Sequence, residues 1–132
     1  MGFFTKSGGD KTRILVVDDS PLIVMSIKLI LEDAGYEVLD AYAGVDALKL
    51  AEEKIPELIL LDLMMPGIDG IETLSRLKIN AKTASIPVLM VTGSQTGKDV
   101  EKAFGYGASG YVVKPVEADR LLAKITAALA AK

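Results

Sequence analysis

Polar side chains that could do chemistry directly follow four short apolar runs of the chain. Asp18 and Asp19 follow the first of these runs, and Asp62 follows another. Thr92 and Lys114 follow the remaining two. Three neighbouring carboxylates disfavour one another's ionisation, and a hard divalent cation with oxygen ligands, above all Mg²⁺, relieves that repulsion. Such a cation, a hydroxyl group and an ammonium group are together the parts of a site that binds a transferring phosphoryl group.

Asp62 is the best candidate for a nucleophile in this set. It ends a central apolar run and faces residues 65–70, whose sequence MPGIDG is typical of a loop. Attack by its carboxylate on a phosphoryl donor would form an aspartyl phosphate. Each of the five residues, taken alone, fits a plainer role, such as a turn aspartate, a strand-ending threonine or an exposed lysine. The chemical interpretation therefore depends on all five lying at one edge of one sheet.

The elements that must position these residues alternate between short apolar runs and amphipathic stretches, which predicts an α/β fold. Ser20 and Pro21 are a typical N-cap and first helical residue, and Gly35 is typical of a helix end. We expect a parallel five-stranded sheet with helices on both faces, whose ligands bind outside the carboxyl ends of the strands. The predicted strands are 13–17, 36–41, 58–61, 86–91 and 111–113, and the predicted helices are 21–34, 44–54, 71–80, 95–106 and 117–131.

Composition excludes several classes of function. The 132 residues include no cysteine and no histidine, which excludes disulfides, thiolate metal sites and Ser-His chemistry. A net charge of −3 without a basic run argues against direct binding of nucleic acid. No apolar run approaches the roughly 20 residues that span a bilayer, and no secretory signal opens the chain. We therefore expect a cytoplasmic protein with a flexible tail at residues 1–12 and one domain at residues 13–132.

The chain resembles the receiver domain of two-component response regulators from about Lys11 to its C-terminus. The resemblance is carried by four segments in order, namely ILVVDDSP, LILLDLMMPGIDG, VLMVTG and GYVVKP. The size is similar to that of the single-domain chemotaxis regulator. The resemblance implies a flavodoxin-like, doubly wound sheet with strand order 2-1-3-4-5. It also implies a phosphorylation switch that is not an enzyme, beyond at most removing its own phosphoryl group.

The resemblance assigns roles to the residues at the strand ends. Asp62 would accept a phosphoryl group from a sensor histidine kinase or a histidine phosphotransfer protein. Mg²⁺, for which Mn²⁺ could substitute, would be bound by Asp19, Asp62 and the backbone carbonyl of Met64. Asp18 would act on the cation largely through metal-bound water. Met64 is also, like Ser94, one of the variable positions that influence how fast the acyl phosphate is hydrolysed in similar domains.

Further roles implied by the resemblance concern the switch. Lys114 would pair with the phosphate and form a cis peptide bond with Pro115, which is plausible because the second residue is proline. Thr92 would move toward the phosphate on activation, and Tyr111 would be the aromatic switch that turns inward as Thr92 moves. A downstream protein target would bind the face formed by the fourth helix, the fifth strand and the last helix.

The fourth helix is the expected mobile element, because a thin apolar stripe leaves fewer packing contacts to lose when the helix shifts. That stripe is predicted to consist of Val100, Ala103 and Phe104. The second helix is predicted to point Val45, Leu48 and Ala51 toward the sheet.

Other functions remain open at this stage. The chain could be a receiver-fold interaction platform without phosphotransfer, or a receiver excised from a larger multidomain regulator or hybrid kinase. A phosphohydrolase of the haloacid-dehalogenase type would need a second aspartate where Met64 stands. A nucleotide-binding module would need a glycine-rich loop where Asp18 and Asp19 stand.

Overall fold

In the computed structural model, which describes residues 11–131, five strands alternate with five helices. The strands form one parallel sheet in the order β2-β1-β3-β4-β5, so the predicted flavodoxin-like, doubly wound α/β fold is confirmed. The strands are β1 (Arg13–Val17), β2 (Glu37–Ala41), β3 (Leu58–Leu61), β4 (Val88–Thr92) and β5 (Gly110–Val113). The helices are α1 (Pro21–Asp33), α2 (Gly44–Lys54), α3 (Gly70–Ile79), α4 (Gly97–Gly105) and α5 (Ala118–Ala130).

The prediction of a flexible tail concerns residues 1–12, of which residues 1–10 lie outside the described part of the chain. Within the described part, the backbone carbonyl of Thr12 accepts a hydrogen bond from the Glu37 amide at 2.9 Å. Among residues 11–131, no helix has the length and apolar character needed to cross a membrane.

Helices cover both faces of the sheet. Successive strand residues point to opposite sides, so each strand contributes buried residues to both faces. One face packs against α2, α3 and α4, and its buried strand residues are Leu15, Val17, Ala41, Ile59, Leu61, Val88 and Met90. The other face packs against α1 and α5, and its buried strand residues are Ile14, Val16, Leu58, Leu60, Leu89, Val91 and Val112. The apolar residues of β1, β3 and β4, interrupted only by Arg13 and Thr92 at strand ends, therefore serve two cores, which explains why these runs do not alternate with polar residues.

The strand register brings the carboxyl ends of β1, β3, β4 and β5 to one edge of the sheet. Val17 of β1 pairs with Leu61 of β3, and Leu61 pairs with Met90 of β4. Thr92 pairs with Val113 at the ends of β4 and β5. The residues that follow these positions must therefore share this edge.

Side-chain caps define where three of the helices begin, and α1 begins at Pro21 because the predicted N-cap Ser20 accepts a hydrogen bond from the Ile23 amide at 3.3 Å. α3 begins at Gly70 because the side chain of Asp69 accepts a hydrogen bond from the Glu72 amide at 2.9 Å. α4 begins at Gly97, two residues later than predicted, because the Thr96 hydroxyl accepts from the Asp99 amide at 3.1 Å. An N-cap residue has an extended backbone, so the helix cannot include it.

β4 begins two residues later than predicted, at Val88. Proline at position 87 has no amide to donate to a neighbouring strand, and the Ile86 amide donates instead to the Thr83 carbonyl at 3.0 Å. Ile86 is therefore the end of a turn and not a strand residue. The strand extends one residue further at its other end and includes Thr92.

The predicted inward stripes of α2 and α4 are partly wrong. Val45 is 61% exposed and Phe104 is 48% exposed. The buried residues of α2 are Gly44, Ala47 and Ala51, and that of α4 is Ala103. Glycine and alanine residues let α2 and α4 lie close to the elements that they pack against. The larger side chains of Val45 and Phe104 then point away from the core.

Gly70 should tolerate no side chain, because a Cβ there would lie 2.2 Å from the Asp62 carbonyl oxygen and 2.6 Å from Leu63 Cα. We expect Gly70→Ala to lower the free energy of unfolding by about 3 kcal/mol, since the clash is with backbone atoms. Gly97 is the matched control, because it is also the first residue of a helix and an added Cβ meets no described atom within 4 Å. Urea denaturation of both variants measures the difference, and equal stabilities would contradict the close approach.

Candidate functional site

Asp18 and Asp19 follow β1 directly and differ in exposure. Asp18 is 2% exposed, whereas Asp19 is exposed to solvent. The Asp18 carboxylate accepts a hydrogen bond from the Ser20 amide at 2.9 Å and another from Lys114 Nζ at 2.7 Å. One carboxylate is therefore fixed in the sheet edge, and the other is free to reach an ion from the solvent side.

Asp62 follows β3 and is 5% exposed. Its amide donates to the Val17 carbonyl at 3.0 Å, which anchors the residue beside the end of β1. Its carboxylate accepts a hydrogen bond from the Met64 amide at 3.4 Å and lies 3.5 Å from Lys114 Nζ. Gly70 also approaches the Asp62 carbonyl oxygen closely, so the backbone at this point has little room to move.

Burial raises the pKa of Asp62 above its ordinary value, and the neighbouring charge of Asp18 raises it further. The ammonium group of Lys114, the Met64 amide and the Thr92 hydroxyl act in the opposite direction. The net rise means that the ionised carboxylate is under-stabilised in the protein alone. A second positive charge beside Asp62, in addition to that of Lys114, would stabilise the ionised carboxylate.

The three carboxylates fit a hard divalent cation. Asp18, Asp19 and Asp62 each offer one oxygen, and these oxygens all lie within 4.8 Å of one another. Oxygen donors of this kind, with open space for water, are the ligands of Mg²⁺ rather than of softer metals. The side chain of Met64 is 67% exposed, so it does not block the approach to Asp62.

Thr92 and Lys114 complete the edge from the ends of β4 and β5. Thr92 is fully buried, and its backbone carbonyl accepts a hydrogen bond from the Lys114 amide at 2.9 Å. The Lys114–Pro115 peptide bond is cis. An open cavity of about 480 Å³ lies at this point, and its walls include Asp62, Thr92 and Lys114. The residues Asp62, Thr92 and Lys114 therefore line one cavity that opens to solvent.

Comparison with known protein families agrees with this arrangement of carboxylate, hydroxyl and ammonium groups. The model of the response regulator receiver domain matches residues 14–126.

The chain belongs to the response regulator receiver domain family.

Two curated receiver proteins illustrate the relationship. The chain is 41% identical over 117 residues to the DNA-binding dual master transcriptional regulator RpaA of Synechocystis, covering 89% of this chain and 48% of RpaA. It is 39% identical over 120 residues to protein PilH of Pseudomonas aeruginosa, covering 89% of this chain and 98% of PilH. The receiver thus spans about half the length of some relatives and nearly the full length of others.

Solved receiver structures share the fold. The chemotaxis protein CheY4 of Vibrio cholerae superposes with a TM-score of 0.86 at 30% identity, covering 89% of this chain and 98% of that one. A CheY-like receiver domain from Methanospirillum hungatei superposes with a TM-score of 0.86 at 34% identity, covering 92% and 95% of the two chains. The chain is a receiver of two-component signalling.

The receiver brings five of the sequence-predicted residues together at one edge of the sheet, namely Asp18, Asp19, Asp62, Thr92 and Lys114. Tyr111 of β5 is half-buried, and its hydroxyl donates to the Ser94 carbonyl at 2.9 Å. Its ring packs against the core on the α3 and α4 side of the sheet, so the ring is turned inward in this structure. Burial raises the pKa of Tyr111.

Asp99 is the residue at this receiver edge that sequence reasoning missed. It lies in the first turn of α4 and lines the same cavity as Asp62 and Lys114. Its carboxylate accepts a hydrogen bond from the Ser94 hydroxyl. The spacing of Thr96 and Asp99 is that of an N-cap and the third helical residue, which is the signal that could have placed Asp99 beside the preceding loop.

Proposed function

We propose that this receiver domain takes a phosphoryl group onto Asp62 and has no further catalytic function beyond removing that group. The observation that carries the proposal is the position of the Asp62 carboxylate, 3.5 Å from Lys114 Nζ and open to a cavity of about 480 Å³. A buried carboxylate that is under-stabilised when ionised, beside an ammonium group, is a suitable acceptor for an electrophilic phosphorus.

Each residue of the edge has a role in that transfer. A carboxylate oxygen of Asp62 forms a bond to phosphorus while the bond from phosphorus to the donor's histidine nitrogen breaks. Lys114 neutralises charge on the phosphoryl oxygens, and the Thr92 hydroxyl donates a hydrogen bond to one of them. Asp19, Asp62 and the backbone carbonyl of Met64 would hold Mg²⁺ or Mn²⁺, with Asp18 acting through bound water. Such a cation, when bound, would supply positive charge next to the phosphoryl oxygens.

The partners follow from the family. Receivers interact with histidine kinases or histidine phosphotransfer proteins, and we propose such a donor for this chain. We further propose that residues 13–132 make up the receiver, that it acts in the cytoplasm, and that it signals by protein contacts at the face formed by α4, β5 and α5. Phosphorylation adds close to two negative charges at Asp62, to which Thr92 and Tyr111 would respond.

The test is the intact mass of the protein after incubation with acetyl phosphate. We expect a gain of one phosphoryl group that requires Mg²⁺, because the ionised carboxylates repel an anionic donor without it. Asp19→Asn should slow the gain at least about tenfold, since a charged ligand to the cation is lost. Asp33→Asn is the control, because Asp33 is an exposed aspartate at the end of α1.

Two outcomes would count against the proposal. Labelling of wild-type protein that is independent of Mg²⁺ would remove the metal from the reaction. No labelling, together with no binding of fluoroberyllate in the presence of Mg²⁺, would favour a receiver-fold interaction platform instead.

A further inference from the structure

Ser94 connects α4 to β5 through two hydrogen bonds. Its hydroxyl donates to the Asp99 carboxylate in the first turn of α4. Its backbone carbonyl accepts from the Tyr111 hydroxyl of β5 at 2.9 Å. Its amide also donates to the Thr92 hydroxyl oxygen at 3.4 Å. One residue of the β4–α4 loop therefore contacts the end of β4, the start of α4 and the middle of β5.

Asp99 is held in place by the first turn of α4, in which it lies. The Thr96 hydroxyl caps α4 by accepting from the Asp99 amide at 3.1 Å. The N-terminal turn of a helix also favours a negative charge. The Asp99 carboxylate is thus the fixed partner of the Ser94 bond, and the loop residue is the partner that can move.

We propose that Asp99 is a positioning residue of the switch, which holds Ser94 so that its carbonyl faces the inward Tyr111. Without the hydroxyl–carboxylate bond, the peptide that follows Ser94 is free to rotate and Tyr111 loses a fixed acceptor. The ring then exchanges between inward and outward positions. Movement of the Ser94 backbone as a whole also displaces its amide, which belongs to the preceding peptide, from the Thr92 hydroxyl, so the residue that faces Asp62 loses a neighbour.

Asp99 has a second, opposing effect on the site. Its carboxylate lines the cavity that also contains Asp62 and Lys114, so its charge repels an anion bound there. Its hydrogen bond to Ser94 favours the inward switch, whereas its charge disfavours the phosphoryl group. Substitutions that remove only one of these properties should therefore change anion affinity in opposite directions.

The first test follows the Tyr111 ring by NMR of protein with labelled tyrosine, in the absence of Mg²⁺ and phosphate. We expect Ser94→Ala and Asp99→Ala to shift the Tyr111 signals in the same direction, while Tyr36 and Tyr42 keep theirs. Asp99→Asn should keep the wild-type signals, because an amide oxygen can still accept the Ser94 hydroxyl.

Matched controls separate positioning from helix stability. Asp119 occupies the first turn of α5 as Asp99 does in α4, so Asp119→Ala removes the same interaction with a helix terminus. Ser26→Ala removes an exposed serine hydroxyl that bonds to its own helix. Wild-type Tyr111 signals in both Ser94→Ala and Asp99→Ala would overturn the proposal, as would an equal shift in Asp119→Ala.

The second test measures fluoroberyllate binding in the presence of Mg²⁺ by calorimetry. This test, unlike the first, rests on the proposed function. We expect Ser94→Ala to raise the Kd at least about tenfold, as for loss of one charge-assisted hydrogen bond. Asp99→Asn should lower the Kd about threefold, because it removes a negative charge and keeps the acceptor. A Kd that rises in both variants, or falls in both, would contradict the two opposing effects proposed for Asp99. If wild-type protein binds no fluoroberyllate, the proposed function fails, and the Tyr111 signals still decide the role of Asp99.

Discussion

Asp62→Asn should abolish the gain of a phosphoryl group and, in metal-free buffer at pH 7, make the protein more stable than wild type. The loss of labelling follows because the amide is not a nucleophile toward phosphorus. The gain in stability follows because burial and the charge of Asp18 both disfavour the ionised carboxylate of Asp62. We expect the free energy of unfolding to rise by about 1–2 kcal/mol, which is typical of removing a poorly compensated buried charge.

The pH dependence of this difference has a defined sign. The pKa of Asp62 in the folded protein lies above its ordinary value of 3.8, so the folded state binds more protons than the unfolded state in the window between them. Ionisation of Asp62 therefore lowers wild-type stability as the pH rises through that window. Asp62→Asn lacks this loss, so the two proteins should differ most at neutral pH and converge as the pH falls below the ordinary value.

Urea denaturation between pH 3 and pH 7 in the presence of a chelator measures the effect. Asp33→Asn is the control again, because it removes an exposed aspartate and should leave the stability within about 0.5 kcal/mol of wild type. Adding Mg²⁺ should narrow the gap between Asp62→Asn and wild type, since the cation stabilises the folded wild-type site. An Asp62→Asn protein less stable than wild type at pH 7 would mean that the carboxylate is well compensated by Lys114.

The position of Asp62 could be predicted from the sequence because two simple rules combine. Residues 58–61 are apolar at every position, which indicates a strand buried on both faces. The carboxyl ends of parallel strands share one edge, so the residue after this strand had to lie near those after β1, β4 and β5. Composition narrowed the chemistry further, because carboxylates, lysines and hydroxyls were the reactive groups left.

The contact between Ser94 and Asp99 could not be predicted in the same way. It depends on where α4 begins, and the apolar pattern placed that start two residues too early. The hydrogen bond from Tyr111 to Ser94 joins residues of different elements, so no local spacing indicates it. The exposure of Val45 and Phe104 was missed because alanines, which are weak signals in an apolar pattern, supply the close packing of α2 and α4.

Lys114→Met should have the largest effect on the stability of the receiver. Lys114 Nζ lies 2.7 Å from Asp18 and 3.5 Å from Asp62, and the Asp18 and Asp62 side chains are only 3% and 6% exposed. Methionine keeps the length of the side chain and removes its charge. Removing one partner of a buried ion pair leaves the other uncompensated, so we expect the free energy of unfolding to fall by about 2–4 kcal/mol at pH 7 without metal.

The same substitution should slow labelling by acetyl phosphate about a hundredfold, because one preorganised charge next to the phosphoryl oxygens is lost. Lys114→Arg keeps the positive charge and should recover most of the stability, although its planar group does not replace the ammonium geometry in transfer. Lys124→Met controls for loss of an exposed lysine, because Lys124 lies on the exposed side of α5.

Adding Mg²⁺ distinguishes the role of Lys114 in the stability of the fold from its role in phosphoryl transfer. If the ammonium group stabilises the fold by neutralising Asp18 and Asp62, a cation bound to the same carboxylates should restore much of the stability of Lys114→Met while labelling stays slow. A Lys114→Met protein as stable as wild type without metal would instead mean that solvent already compensates both carboxylates. Lys114 would then act on the phosphoryl group alone.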